Sequence, residues 1–334
     1  MTTIEMSNYL FFRTDRIGDF LVSAILINSI KRNDLNSHIT VVSSKKNHLY
    51  IKSLNFVDEV YLYPDNFIEK ISLFLKLNKK KYDLIGALDG KKRSVYFSIL
   101  LKSKIKVLMT TKFFFTKIFK KKFSKIFLFE ETKKKLDEII EVLSLCNMTF
   151  EKKDLYFLEN QNILSDKIKC IPNYLILHFD EKWIFNDYIK KYVSIEPNHD
   201  EFNLFIHEII ENFNLNLVIT TGLKENLIIN KFKKDLNKID ENLYEKEYNN
   251  KKIQLYINLD FFDLEFLIKN CNFLITCHGA STHVASAFNK KIYDIFDTSQ
   301  EKFYKKWNSH IANYNYFYRE KFKSLTEKIL TKKI

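Results

Sequence analysis

Short apolar runs rich in β-branched and aromatic residues alternate along the chain with longer segments of helical periodicity. Because the apolar runs are almost continuously hydrophobic, they predict the strands of a parallel sheet that helices cover on both faces. In the first half of the chain the predicted strands are Tyr9–Arg13, Ile39–Ser43, Glu59–Tyr63, Asp83–Leu88 and Ile105–Met109. The predicted helices are Asp19–Lys31, Asn66–Leu77, Arg93–Leu101 and Thr132–Leu145.

A polar stretch with little periodicity, Glu151–Pro172, interrupts this alternation, which then restarts. The second half predicts strands at Tyr174–His178, Leu217–Thr221, Gln254–Ile257, Phe273–Cys277 and Ile292–Phe296. It predicts helices at Glu201–Phe213, Lys224–Leu236, Asp263–Lys269 and Ser281–Phe288, and a helical tail from Gln300 that could pack back on the first half. We therefore expect an α/β protein with two domains, residues 1–160 and 170–334.

The composition of the 334 residues is that of a folded globular protein, with 46% hydrophobic and 28% charged residues. The apolar runs fall well short of the ~18 residues that a membrane-spanning helix needs. Four cysteines (146, 170, 271 and 277) show no CxxC spacing, and Met1–Ser7 carries no lysine or arginine. A secretory signal and a disulfide framework are not expected, which favours a cytoplasmic location.

The formal charge of +13 is concentrated in the first half of the chain. Residues 1–165 contain 29 basic and 18 acidic residues, and no acidic residue lies between Asp89 and Glu130. Lysines alternate with aromatic and aliphatic residues in the segment Lys91–Lys125. This pattern is typical of contact with an anionic membrane surface, but it also suits a nucleic-acid backbone or a solvated helix face. Because no RNA- or DNA-binding motif accompanies it, we expect no nucleic-acid partner.

The first candidate site is the loop after the first predicted strand, with the sequence RTDRIGD at residues 13–19. Gly18 could form a tight turn, and Asp19 opens the next helix, whose N-terminus stabilises a carboxylate. Asp19 could accept a proton from an incoming hydroxyl group. Two plainer interpretations stay open. Asp19 could be only a helix N-cap, and Asp15 could form surface ion pairs with Arg13 and Arg16.

The second and third candidate sites also follow predicted strands. In the sequence CHGASTH at residues 277–283, small residues precede a helix whose free N–H groups would suit a diphosphate. Its histidines and nearby cysteines match no standard zinc spacing. Lys182 follows another strand end, where it could meet a leaving phosphate while Trp183 packs beneath it. An exposed lysine beside a core tryptophan is the equally simple interpretation of this pair.

Together these segments resemble glycosyltransferase family 9, the heptosyltransferases that build the inner core of lipopolysaccharide. The resemblance follows most of the chain in the order of its elements. Residues 13–19 match the family's first-loop signature R-x-D-x-x-G-D. Looser matches occur at Tyr82–Ile85 leading to Asp89, Lys182–Trp183, Leu267–Ile275, His283–Ala285 and Ile292–Phe296.

The resemblance implies a GT-B fold, which is α/β with two Rossmann-like domains and a cleft between them. Asp19 would be the catalytic base, and the acceptor would contact Arg13, Asp15, Arg16, Gly18 and Asp89. Lys182 would contact the donor's phosphates, and the nucleotide-diphosphate loop would consist of His278, Gly279, Ala280, Ser281, Thr282 and His283. The family usually has Asp-Thr/Ser-Gly where this chain has residues 278–280, so the donor stays open, with ADP-heptose as the first expectation.

The expected function is an inverting transfer of a sugar from a nucleoside-diphosphate sugar to a lipopolysaccharide, lipooligosaccharide or related surface glycan. Since no DxD motif lies near a nucleotide-type loop, we expect neither a metal ion nor a cofactor. The acceptor would be an anionic glycolipid or oligosaccharide at the cytoplasmic face of the inner membrane, which Lys91–Lys125 would contact. A non-catalytic nucleotide-sugar-binding protein or membrane-associated scaffold on the same fold is the alternative.

Overall fold

The computed structural model describes residues 6–129, 134–163, 165, 167–169, 171–184, 190–224 and 226–332. The chain divides into two compact units. The first comprises the chain up to Phe157 together with Lys302–His310, and the second comprises Leu158–Glu301 and the chain from Ile311 onward. Among the described residues, every helix is too short or too polar to cross a membrane.

The first unit contains a parallel sheet with the strand order β3-β2-β1-β4-β5-β6. Its strands are β1 (Asn8–Arg13), β2 (His38–Ser43), β3 (Glu59–Leu62), β4 (Tyr82–Ala87), β5 (Ser103–Thr110) and β6 (Lys125–Leu128). Its helices are α1 (Ile17–Asn33), α2 (His48–Lys52), α3 (Phe67–Asn78), α4 (Lys92–Leu100), α5 (Phe113–Ile118) and α6 (Lys135–Leu145). Two short 3₁₀ helices lie at Lys120–Lys122 and Lys152–Tyr156.

The connections of this sheet reverse direction at one place, between β1 and β4. The chain steps outward from β1 through β2 to β3, and then crosses back to β4 beside β1. In open parallel sheets, ligands bind outside the carboxyl ends of the strands at such a switch point. The loop RTDRIGD follows β1 and Asp89 follows β4, so two predicted site segments meet at this point.

The second unit contains a mainly parallel sheet with the order β14-β13-β12-β7-β8-β11-β10-β9. Its strands are β7 (Tyr174–Phe179), β8 (Asn216–Thr221), β9 (Asn237–Lys238), β10 (Leu243–Tyr248), β11 (Lys251–Tyr256), β12 (Phe273–Cys277), β13 (Lys291–Phe296) and β14 (Tyr314–Tyr318). The remaining helices are α7 (His199–Phe213), α8 (Leu227–Phe232), α9 (Phe261–Asn270), α10 (Ala280–Ala287), α11 (Glu301–Trp307) and α12 (Phe322–Thr331). The strand β10 pairs antiparallel with β9 and β11.

The second sheet also has its switch point where predicted site residues lie. The strand β7 pairs with both β8 and β12, and the connections run in opposite directions from it. Lys182 follows β7, and His278 follows β12. The topology therefore brings the second and third candidate segments to the same edge of one sheet.

The predicted α/β class and the core strands are confirmed, but several elements were missed. The strands β6, β10 and β14 and the helices α2 and α5 were not predicted. The tail from Gln300 is not continuously helical, because β14 separates α11 from α12. The start of the predicted helix Thr132–Leu145 and the residue Cys170 lie outside the described residues.

Candidate functional site

Arg13 ties the loop after β1 to its neighbours. Its side chain is buried, and its Nε and Nη2 donate to the backbone oxygen of Asp19 at 3.0 and 2.6 Å. Its Nη1 donates to the backbone oxygen of Leu88 at 2.5 Å and lies 3.1 Å from Oδ2 of Asp15. One guanidinium group therefore holds the first turn of α1, the end of β4 and the Asp15 carboxyl group in fixed positions.

Asp89 closes the same loop from the other side. Its Oδ2 accepts hydrogen bonds from Thr14 N at 3.0 Å, Thr14 Oγ1 at 2.6 Å and Ser94 Oγ at 2.8 Å. Its Oδ1 accepts from Lys91 N at 3.0 Å. Because both oxygens are engaged, Asp89 positions the loop between β1 and α1. Asp89 lines the same cavity as Asp15 and Asp19, but both of its carboxylate oxygens already accept hydrogen bonds from other residues of the protein.

The helix α1 begins earlier than the sequence predicts. It starts at Ile17 with Arg16 as its N-cap, and Gly18 and Asp19 lie inside its first turn. The prediction that Gly18 makes a tight turn is therefore wrong, and so is the interpretation of Asp19 as an N-cap. Asp19 instead benefits from the helix N-terminus as a residue of the first turn. Its half-buried side chain lines two cavities.

The two cavities share Asp15 and Asp19 and differ in character. The inner cavity has a volume of about 220 Å³, and its wall includes Lys135, Glu138 and Trp307. The basic cavity has a volume of about 450 Å³, and its wall contains five cationic side chains. These are Arg16, Lys45, Lys46, Lys91 and Arg93. Asp65 also lines it and pairs with Lys45 at 2.8 Å, so the basic cavity retains an excess of positive charge.

Asp15 has a largely buried carboxyl group. Its side chain is only 18% exposed, and its Oδ1 is enclosed without a hydrogen-bond partner among the described residues. Burial raises the pKa of Asp15 to about 6, and the nearby charges of Asp19 and Asp89 raise it further against the opposing effect of Arg13 and Lys91. A carboxyl group that titrates near neutral pH beside a second carboxylate is typical of acid–base sites.

Replacing Asp15 by asparagine should therefore stabilise the protein at pH 7.5, by up to about 3 kcal/mol. The pKa of Asp15 is higher in the folded protein than its ordinary 3.8, so the folded state loses stability as the pH rises from about 4 to 6. Denaturant unfolding of both proteins at pH 4 and pH 7.5 checks this, with Asp65→Asn as an exposed control. A less stable Asp15→Asn variant at pH 7.5 would show that the ion pair with Arg13 outweighs the burial.

In the second unit, Lys182 is held by Asp180. The Lys182 Nζ and an Asp180 carboxylate oxygen form a short hydrogen-bonded ion pair. Burial lowers the pKa of Lys182, but the charge and hydrogen bond of Asp180 outweigh it, so the pKa lies above its ordinary value. Trp183 is fully buried, stacks on Phe179 and donates its Nε1–H to the backbone oxygen of His178 at 2.9 Å. Trp183 therefore belongs to the core of the second unit.

Gly279 allows Lys182 to reach the start of α10. A Cβ atom at Gly279 would come within 2.6 Å of the Lys182 Nζ, so a larger residue there would require the lysine side chain to shift. Gly279 is the N-cap of α10, and its backbone N–H donates to Thr282 Oγ1 at 3.2 Å. Ala280 begins the helix, followed by the buried residues Ser281, Thr282 and His283. A lysine thus lies beside a helix N-terminus, which is a favourable environment for phosphate.

His278 is held by an acidic residue that the sequence analysis missed. Its Nδ1 lies 2.7 Å from Oδ2 of Asp294, which is fully buried on β13. Asp294 also accepts hydrogen bonds from Thr282 Oγ1 at 2.9 Å and Tyr314 Oη at 2.7 Å. The imidazole of His278 meets that of His283 edge-on, with ring centroids 5.3 Å apart. The pairing of Thr276 with Asp294 places this carboxylate on β13, the strand beside β12, and no local sequence pattern predicts the contact.

The structure is similar to solved structures of glycosyltransferases. It matches the glycosyl transferase family 9 structure from Veillonella parvula DSM 2008 with a TM-score of 0.63 and 15% identity, over 98% of this chain and 90% of that chain. The chain has the fold of glycosyltransferase family 9. It also matches E. coli ADP-heptose lps heptosyltransferase II with a TM-score of 0.63 and 12% identity, over 97% of this chain and 96% of that one.

A different enzyme class shares this fold. The UDP-GlcNAc 2-epimerase from Methanocaldococcus jannaschii matches with a TM-score of 0.54 and 13% identity, over 98% of this chain and 94% of that chain. No protein-family model and no curated protein matches the sequence. At these identities the likeness establishes the fold, and it confirms the predicted GT-B class and the structural resemblance to family 9. A shared fold does not determine function, which depends on the residues of the sites.

Proposed function

We propose that the protein is a glycosyltransferase that moves a sugar from a nucleoside-diphosphate sugar to an anionic glycan acceptor of the lipopolysaccharide or lipooligosaccharide type. The observation that carries the proposal is the position of the two candidate sites. An acidic loop lies at the switch point of the first sheet, and a lysine with a helix N-terminus lies at the switch point of the second. Both lie on a fold shared with a heptosyltransferase.

In the proposed reaction, Asp19 removes the proton from an acceptor hydroxyl group. The hydroxyl oxygen attacks the anomeric carbon, and the nucleoside diphosphate leaves with the bonding electrons from the opposite face, which inverts the configuration. Asp19 is suited to this role because Arg13 binds its backbone oxygen at 2.6 and 3.0 Å, and because the residue lines two cavities. A base held in position in this way avoids reorganisation during the reaction.

The leaving diphosphate would be bound in the second unit. Lys182 and the N-terminus of α10 supply positive charge. His278 directly precedes this helix N-terminus, and its imidazole contacts the buried carboxylate of Asp294. Such fixed donors stabilise charge that develops on a leaving group. We propose ADP-heptose as the first donor to test, because a structural neighbour is named for it. We further propose that transfer needs no metal ion, which activity in the presence of EDTA would test.

The acceptor would enter the basic cavity of the first unit. Its five cationic side chains adjoin Asp15 and Asp19, so an anionic group bound there would bring a neighbouring hydroxyl group to the acidic loop. A phosphorylated glycolipid meets this requirement. The protein would then work at the cytoplasmic face of the inner membrane, with the basic segment Lys91–Lys125 on the anionic lipid surface.

Donor binding should depend on Lys182. A nucleotide-sugar panel that includes ADP-, GDP-, UDP- and CMP-sugars should contain one member that raises the unfolding temperature, since a ligand at 100 times its Kd adds about 2.7 kcal/mol. Lys182→Met should weaken binding of that donor by at least about 10-fold, because it removes a charge-assisted contact to phosphate. Lys191→Met, an exposed lysine of the same unit, serves as the control. Equal affinity in Lys182→Met would exclude the phosphate contact.

The alternative is a non-catalytic nucleotide-sugar-binding protein or membrane scaffold. It is favoured by His278-Gly279-Ala280, where the family usually has an acidic residue followed by small ones. The buried Asp294 places a carboxylate directly behind His278, which weakens that objection. A protein that binds a nucleotide sugar but never consumes it, with any acceptor, would establish the alternative.

A further inference from the structure

The helices α3, α4 and α5 form one layer on a single face of the first sheet. The connections from β3 to β4, β4 to β5 and β5 to β6 all cross the sheet in the same direction, and right-handed crossovers then place their helices on one side. Ring contacts join the layer: Phe74 meets Phe97 at 5.9 Å, and Tyr96 meets Phe119 at 6.2 Å between centroids. The outer surfaces of the three helices are therefore continuous.

The helix α3 carries an apolar stripe on its solvent side. Leu73 and Leu77 are buried against the sheet, whereas Phe67, Ile68, Ile71 and Leu75 are exposed, Ile68 by 79%. The spacing i, i+1, i+4, i+8 places these exposed side chains along one side of the helix. A helix with one apolar face in the core and a second one in water is unusual, because exposed aliphatic side chains bring no stability to the free protein.

The helices α4 and α5 continue this apolar surface. Tyr96 and Leu100 are exposed on α4, and Phe113, Phe114 and Ile118 are exposed on or around α5, Phe114 by 64%. The Lys117 Nζ lies 4.9 Å from the centroid of the Phe113 ring. Aromatic rings with neighbouring ammonium groups are typical of side chains that lie at the boundary between lipid headgroups and acyl chains.

The charge of the layer identifies its partner. Residues 67–125 contain 17 lysines and arginines against 3 acidic residues. Near the ends of α3 and α4, Lys79, Lys81, Lys102 and Lys104 line a cavity of about 660 Å³, where Asp83 neutralises Lys104. A second copy of this chain is a poor partner for the layer, since two such surfaces would repel each other. A surface that is both apolar and strongly basic matches an anionic bilayer.

We propose that the outer surface of α3, α4 and α5 is a membrane-binding face whose apolar side chains enter an anionic bilayer. The proposal deepens the proposed function and rests on it, since the acceptor would be a glycolipid of the same membrane. It assigns the insertion to α3 and α5 together, so that α3 anchors the protein from outside the segment Lys91–Lys125. The lysines supply the attraction to the headgroups, and the apolar stripe supplies binding that resists salt.

Sedimentation with vesicles tests the face. The purified chain should bind vesicles of phosphatidylethanolamine and phosphatidylglycerol, and not vesicles of phosphatidylcholine alone. The double variant Ile68→Ser with Ile71→Ser should weaken binding by at least about 10-fold, as should Phe113→Ser with Phe114→Ser. Leu35→Ser, which changes a 78% exposed side chain outside the layer, should bind like the wild type. Unfolding temperatures confirm that the variants fold.

Three results would overturn the proposal: no vesicle binding by the wild-type chain, undiminished binding by the α3 double variant, or binding to single-stranded nucleic acid in place of vesicles. The vesicle assay needs no donor and no acceptor sugar. A thermal shift with ADP and the sugar panel, measured on the same preparations, reports on the proposed function separately. Vesicle binding without any donor shift would leave the membrane face standing and count against the transferase.

Discussion

Asp19→Asn is expected to lower turnover by at least about 10²-fold while leaving donor affinity unchanged, because it removes the general base and keeps the shape of the side chain. The fold should survive the substitution, since Arg13 binds the backbone oxygen of Asp19 and not its carboxylate. Turnover and donor affinity, measured on the same preparation, check this. The control is Asp200→Asn, an exposed carboxylate in the first turn of α7.

The Asp15→Asn variant separates the two carboxyl groups of the acidic loop. Both line the inner and the basic cavity, and the charge of Asp19 raises the pKa of Asp15. If Asp19 is the base, Asp15→Asn should keep measurable turnover in which the pH dependence near pH 6 has changed. An active Asp19→Asn variant together with an inactive Asp15→Asn variant would move the base to Asp15.

Glu138→Gln is expected to destabilise the protein by about 3–5 kcal/mol at pH 7, because it leaves two buried ammonium groups without their counter-ion. Lys135 Nζ donates to Glu138 Oε2 at 2.8 Å, and Lys306 Nζ lies 3.3 Å from Oε1 of the same carboxylate. Both lysine side chains are almost completely buried. Denaturant unfolding measures the loss. Glu141→Gln on the same helix, whose carboxylate pairs at the surface with Lys125, should cost at most about 1 kcal/mol.

The pH dependence gives this prediction a second readout. Burial lowers the pKa of Lys135 to about 8, against the opposing effect of Glu138, so the unfolded chain binds this proton more tightly than the folded one. Stability linked to Lys135 therefore rises as the pH increases from about 8 towards its ordinary 10.5. The loss in the free energy of unfolding that Glu138→Gln causes should therefore be smaller at pH 9.5 than at pH 7. Lys135→Met should change the free energy of unfolding very little at pH 7, because Glu138 stays paired with Lys306. A large loss of stability at pH 7 would contradict the inference that this buried cluster of two lysines and one glutamate has an excess of positive charge.

The strands and loops around the sites were predictable because they obey local rules. Central strands such as β1 and β12 are buried on both faces, so their sequences are continuously apolar. The site residues could then be sought in the loops just after the carboxyl ends of these strands. Edge and antiparallel strands lack this signal: β10 has the sequence LYEKEY, and its strand state comes from pairing with β11. The short helix α5 is likewise decided by packing, since Phe115 is its single buried residue.

Turns were harder to predict because asparagine takes the place of glycine in this chain. Among the described residues, seven asparagines have positive φ, including Asn214 at the end of α7 and Asn289 after α10. Within the described part of the chain, Gly90 is the one glycine with positive φ. Asparagine tolerates left-handed geometry through its short polar side chain. In a sequence crowded with asparagine, the turn-forming ones cannot be told from the rest by composition.

The partners of the site residues come from tertiary structure alone. Asp294 lies on β13 and meets His278 because β12 and β13 pair, although 16 residues separate the two in sequence. Lys306 reaches Glu138 because Lys302–His310 belongs to the first unit, although 168 residues separate the two in sequence. Charge neutralisation of this kind depends on distance and burial, which no sequence pattern encodes.

The measurement that tests the proposed transfer most directly is the mass of the acceptor after incubation with donor. The purified protein is incubated, with and without EDTA, with the nucleotide sugar that raises its unfolding temperature and with glycolipid extracts that differ in their inner sugars. We expect one acceptor to gain the mass of a single sugar residue while an equal amount of nucleoside diphosphate appears, and Asp19→Asn to form neither product. A donor that binds but stays intact with every acceptor would contradict the transferase and establish a nucleotide-sugar-binding protein.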